Sequence, residues 1–126
     1  MIVENRHEQS ASRRRVLCVG LTLVLAIVIA VLTLTPAVEV PLAMRGADKL
    51  YHFLAFGALV LPTLVLWPQR LVPAAVLALA YGGLIEVIQS YVGRQMSVAD
   101  LLANAAGIST VLALAGVWRL RERNTD

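Results

Sequence analysis

Four apolar runs dominate the 126-residue chain: Val16–Thr35, Leu50–Trp67, Leu71–Val92 and Leu101–Trp118. Each matches the roughly 17–25 residues that an α-helix needs to cross a bilayer. Polar residues gather between the runs, and the links are short. Pro68-Gln69-Arg70 is a tight turn, and so is Gly93–Met96. Short links force antiparallel neighbours, so the pattern predicts an all-α, compact antiparallel bundle of four transmembrane helices in which the second, third and fourth pack as an up-down unit. The one sizeable loop, residues 36–49, carries Pro36 and Pro41, which forbid a continuous helix, and its apolar content suggests that it rests on the membrane surface. Residues 1–15 form a polar N-terminal tail, expected to be disordered over 1–12, with His7 given no role. Residues 119–126 form a basic C-terminal tail.

Within the runs, Pro62 predicts a kink in the second helix, while Pro73 falls harmlessly in the first turn of the third. Ala74, Ala78 and Gly82 recur every four residues on the third helix, as do Ala99, Ala103 and Gly107 on the fourth. Small residues at that spacing let backbones approach where lipid supplies no hydrophobic drive between helices.

Composition agrees with the pattern. The chain is 59% hydrophobic and 15% charged, against about 25% charged for a soluble domain. A cleaved signal peptide is the rival reading of the first run, but the run exceeds the roughly 7–15 apolar residues of such segments. The single Cys18 has no partner for an internal disulfide and reads as bilayer-facing filler. The net charge of +3 reflects topology rather than nucleic-acid binding. Arg6, Arg13, Arg14, Arg15, Arg70, Arg119, Arg121 and Arg123 fall on one side of the bundle, and Arg45, Lys49 and Arg94 on the other. An excess of Arg and Lys marks the cytoplasmic side, so both termini are expected in the cytoplasm and the protein in the plasma membrane. Trp67 and Trp118 then mark the inner interface, Tyr51 and Tyr91 the outer.

Polar groups inside the runs are the candidate chemistry. Glu86 lies in an otherwise uncharged run, where an ionised side chain costs roughly 2.5–3.5 kcal/mol, and so calls for a partner on a neighbouring helix. At about 1.5 Å of rise per residue it sits roughly 9 Å below Val92. Asp48 and His52 share a helix face, as do Glu86 with Gln89 and Asp100 with Asn104. All lie in the outer half of the bundle, which predicts that His52, Glu86 and Asn104 meet in one pocket ringed by Asp48, Lys49, Arg94 and Asp100. Structural readings stand beside this one. Asp48 would serve as an N-cap, Ser97 and Asp100 as a capping box, Lys49 and Arg94 as snorkelling cations, and Gln89 and Asn104 as interhelical glue.

The blocks Asp48-Lys49-x-x-His52-Phe53, Tyr81-Gly82-x-x-x-Glu86-x-x-Gln89 and Arg94-x-x-Ser97-x-x-Asp100-x-x-x-Asn104-x-x-Gly107 resemble the VanZ-like family of small integral membrane proteins. The resemblance spans about residues 48–107. It implies an integral membrane protein of the cell envelope and, for the founding members, low-level resistance to the glycopeptide teicoplanin. It supplies no mechanism.

Three chemistries remain open. The leading one binds or modifies a lipid-linked or anionic envelope component at the outer leaflet, with Lys49 and Arg94 on phosphate oxygens and Asp48, Gln89, Asp100 and Asn104 completing the substrate contacts. The second is a hydrolase or transferase with His52 and Glu86 as its acid/base pair, although no nucleophile is evident. The third is a structural or assembly module. No cofactor and no metal is expected, a site built from Asp48, His52, Glu86 and Asp100 being the weaker alternative. The bilayer, and possible lipid-linked precursors within it, are the expected partners.

Overall fold

In a computed structural model of the protein, residues 2–35 and 47–124 are described. They form four helices: α1 (Ile2–Leu34), α2 (Ala47–Leu66), α3 (Leu71–Tyr91) and α4 (Val98–Arg123). A single 3₁₀ turn, Pro68–Arg70, links α2 to α3. All four are long and apolar enough to cross a membrane. The expected all-α bundle is what forms. Two helix ends differ from expectation. The N-terminal polar stretch continues α1 instead of being disordered, because Glu, Gln, Ala and Arg are sound helix formers and nothing between Ile2 and Arg15 breaks the run. At about 1.5 Å per residue, α1 is about 50 Å long and overshoots a roughly 30 Å hydrocarbon core. Likewise α4 runs through the basic tail to Arg123, where Trp118 Nε1 donates to Glu122 Oε1 at 2.6 Å, one helical turn on. The Pro36–Pro41 loop and the side chain of His7 lie outside the described residues.

The core is thin and runs the length of the bundle. Phe56, Leu59 and Val60 of α2 meet Ile85 and Ala78 of α3 and Ile108, Val111 and Ala115 of α4, with Ile29 of α1 against them. Most other large apolar side chains face outward, among them Leu23, Leu32, Leu77 and Leu114. In water so much exposed apolar surface would aggregate; in lipid it is the solvent-matched face.

The most extensive packing joins α2 to α4, which are separated in sequence by α3. Gly107 makes this possible, lying against the backbone of Phe53 and Gly57. A Cβ on Gly107 would overlap the carbonyl of Phe53 and lie 3.1 Å from the amide nitrogen of Gly57. The small-residue stripe on α4 is therefore only partly used: Gly107 is buried at the crossing, but Ala99 is exposed. On α3, Ala78 and Gly82 are buried. The expectation for Cys18 is overturned. It is 3% exposed, and its thiol lies 3.6 Å from Thr63 Oγ1, next to Pro62 in α2. Pro62 removes one backbone donor from α2.

Candidate functional site

The starts of α2 and α4 and the end of α3 lie at one end of the bundle, here termed the polar end. Helix α3 stops there because Gly93 takes φ +80°, and the amide of Arg94 then donates to the carbonyl of Gln89 at 3.0 Å. This is the Schellman arrangement, which needs a residue without a Cβ penalty in the left-handed region. The turn delivers Ser97 as N-cap of α4, its hydroxyl accepting from the Asp100 amide at 3.2 Å.

Half of the expected capping box forms, and the other half does not. The Ser97 amide donates instead to Glu86 Oε2, at 2.8 Å. Glu86 thus takes the position Asp100 would have held, placing a carboxylate at a helix N-terminus where unsatisfied N–H groups and the helix dipole favour negative charge. That is the partner which its burial (2% exposed) demands, and it lies on backbone, not on His52. Among the described residues, no hydrogen bond joins Glu86 to His52, the partner expected of it. The second carboxylate oxygen, Oε1, is buried without a hydrogen-bond partner.

Because Glu86 caps α4, the Asp100 carboxylate is free to face α2. His52 Nε2 lies 3.8 Å from Asp100 Oδ2. His52 Nδ1 is 3.0 Å from Asn104 Oδ1. An amide oxygen only accepts, so Nδ1 carries the hydrogen. The predicted meeting of His52 with Asn104 therefore occurs, with Asp100 as the third member. Gly82 makes room: a Cβ there would lie 2.9 Å from Asn104 Nδ2 and 3.0 Å from Phe56 Cε1. Asn104 Nδ2 is itself buried and without a hydrogen-bond acceptor. Asp48 joins the group from one turn before His52. It lies inside the first turn of α2 and so is not the N-cap, since the helix begins at Ala47. One ligand-capable atom from each of Asp48, His52 and Asp100 lies within 4.8 Å of the others.

Gln89 and Arg94 turn to α1. Gln89 Nε2 donates to the Thr33 carbonyl at 2.9 Å, and Arg94 Nη1 donates to the same carbonyl at 2.8 Å. These bonds satisfy a carbonyl that the end of α1 leaves without an intrahelical donor, and the arginine also complements the negative end of the helix dipole. Arg94 also lines a cavity of about 550 Å³ between α1 and α2. Its remaining walls include Ile29, Leu32 and Thr33 from one helix and Asp48, His52 and Leu54 from the other. Glu86, Gln89, Asp100 and Asn104 are not among its lining residues. Lys49 is exposed and is not among them either.

Sequence reasoning missed two ties. Tyr81 Oη donates to the Ala26 carbonyl at 2.5 Å and fixes α3 to α1 near mid-bundle. A tyrosine deep in an apolar run was the available signal, since its hydroxyl needs a partner there. Gly57 is the other: a lone glycine in the second run carries no four-residue stripe to mark it.

The opposite end is basic. Arg15 and Arg70 lie 5.3 and 5.6 Å from the Trp67 ring centroid. Arg14 donates to the Val65 carbonyl and Arg119 to that of Pro68.

A family model described as VanZ/LLP1 matches residues 3–119. No curated protein and no solved structure matches the chain.

Proposed function

The chain belongs to the VanZ/LLP1 family of membrane proteins, and from that premise we propose that its polar end faces the outside of the plasma membrane and holds an anionic, lipid-linked envelope component. The observation that carries this reading is the cavity between α1 and α2. It sets the guanidinium of Arg94 beside walls formed largely by Ile29, Leu32, Leu54, Ala55 and Phe56. An amphiphile with a phosphate head and a hydrocarbon tail matches both parts: the guanidinium takes phosphate oxygens, and the apolar wall takes the chain. Leu32, Tyr51 and Leu54 are exposed on the bundle surface, so a tail enters sideways from the bilayer. The distribution of arginines supports the orientation, with the basic collar around Trp67 in the cytoplasm. The family's association with teicoplanin resistance fits a protein that sequesters or shields a glycopeptide target at the outer leaflet.

Binding is favoured over catalysis because His52 and Glu86, the groups best suited to acid/base work, are each hydrogen-bonded to a different partner and not to one another. The test measures binding of a polyprenyl pyrophosphate to the detergent-purified protein, together with teicoplanin susceptibility of cells expressing it. Arg94→Ala should weaken binding at least tenfold and remove any protection. Because Arg94 also caps α1, Ala55→Phe provides a second variant that fills the cavity and leaves the cap intact. Unchanged binding in both variants, at normal membrane abundance, sinks the proposal.

A further inference from the structure

We propose that Asp48, His52 and Asp100 form a binding site for a divalent transition-metal cation of the Zn²⁺ or Mn²⁺ class. Their ligand-capable atoms lie within 4.8 Å of one another. Donors about 2.1 Å from a shared ion are separated by about 3–4.2 Å, so a small inward movement closes the triad on one cation. The 3.8 Å gap between His52 Nε2 and Asp100 Oδ2 already falls in that range. It is also too long for a hydrogen bond.

Two further observations point to a cation. The first is the histidine. Its ring is 4% exposed, and Asn104 Oδ1 fixes the hydrogen on Nδ1. Nε2, on the far side of the ring, lies 3.8 Å from Asp100 Oδ2, a pairing that calls for a positive charge between them, whether a proton or a bound cation. A ligating imidazole is commonly oriented in this way, its far nitrogen donating to an oxygen behind it. The second is Asp100. Its natural local job is to complete the capping box, but Glu86 occupies that position and Asp100 makes no such bond. A carboxylate largely withdrawn from water is costly without a compensating charge. Among the described residues, no lysine or arginine pairs with it.

One imidazole and two carboxylates make a hard-to-borderline donor set, suited to Mn²⁺ or Zn²⁺ more than to soft ions. Asp48 and His52 line the cavity, which gives an ion its entry path and leaves open coordination positions for water. If the ligand reading above holds, those positions also meet its phosphate oxygens; the cation site itself does not depend on that reading.

The test uses the full chain purified in detergent, stripped with a chelator and titrated with Zn²⁺ or Mn²⁺, with Mg²⁺ for comparison. Metal content and calorimetry should give one equivalent bound, and the melting temperature should rise with metal. Affinity should fall at least tenfold in Asp100→Asn and in Asp48→Asn. It should fall about 10–100-fold in Asn104→Ala, which removes only the group orienting His52. His7→Ala, the other histidine, should bind as the unaltered protein does. Asp48→Asn keeps the test decisive if Asp100→Asn fails to fold, because Asp48 is only half-buried. Less than a tenth of an equivalent bound to the unaltered protein overturns the proposal, as does undiminished affinity in Asp48→Asn. Neither result touches the phosphate-ligand reading, whose variants are Arg94→Ala and Ala55→Phe.

Discussion

Gly107 shows how much one missing methyl group sets in this protein. A Cβ at that position runs into the backbone of Phe53, which has no rotamer to yield, so α2 and α4 would have to separate along their main contact. Overpacking of this kind costs about 1–3 kcal/mol, and more when the obstacle is main chain. Gly107→Ala should therefore lower the melting temperature of the detergent-purified protein by several degrees. Gly20→Ala should not, since nothing lies within 4 Å of a Cβ there and alanine is the better helix former. Equal melting temperatures for the two variants would remove Gly107 as the determinant of the α2–α4 approach. Gly82 differs in kind. Its nearest obstacles are the side chains of Asn104 and Phe56, so a methyl there displaces the amide that orients His52 without prying helices apart.

The polar end is a set of helix termini satisfying one another. The end of α1 is capped by Gln89 and Arg94 from the α3 side, and the start of α4 by Ser97 and by Glu86 from α3. This predicts a specific ordering for Glu86 variants. Glu86→Gln keeps an oxygen for the Ser97 amide and loses only the charge–dipole part, about 0.3–1 kcal/mol. Glu86→Ala leaves a sheltered amide without an acceptor, at about 1–3 kcal/mol. Chemical or thermal denaturation in detergent should rank the unaltered protein above Glu86→Gln, and Glu86→Ala last. An acid/base role would instead make Glu86→Gln inactive at full stability. That result would return Glu86 to the chemistry and take it from the cap.

For the whole molecule, the asymmetry between ends is the main property. Asp48, His52, Glu86, Gln89, Asp100 and Asn104 collect at one end, while Arg15 and Arg70 stacked on Trp67 collect at the other. The proposed orientation rests on the arginine-rich end, which the positive-inside rule assigns to the cytoplasm. In a Cys18→Ser background, Gln95→Cys should react with a membrane-impermeant maleimide in intact cells. Gln69→Cys, in the turn after Trp67, should react only after permeabilisation. Both positions are exposed on the protein surface, so access depends on sidedness alone. The opposite labelling pattern would place the cavity in the cytoplasm and end the outer-leaflet reading.

The four spans, their order and the clustering of polar residues at one end were all legible in the sequence. Each depends only on run length, alternation across the membrane and the cost of polar groups in lipid. Helical spacing also paired His52 with Asn104 correctly, because both lie a similar depth from their helix starts. What spacing could not decide is which polar group answers which. Spacing points Glu86 toward His52, yet it bonds the Ser97 amide, because backbone donors at a helix start compete for a carboxylate and carry no side-chain signature. That single substitution of partners releases Asp100 toward His52. The same limit applies to packing. Short links made α2, α3 and α4 sequential neighbours, but the broadest contact joins α2 to α4. Only the fold sets two glycines fifty residues apart against each other's backbones, and that close approach decides which side chains meet at the polar end.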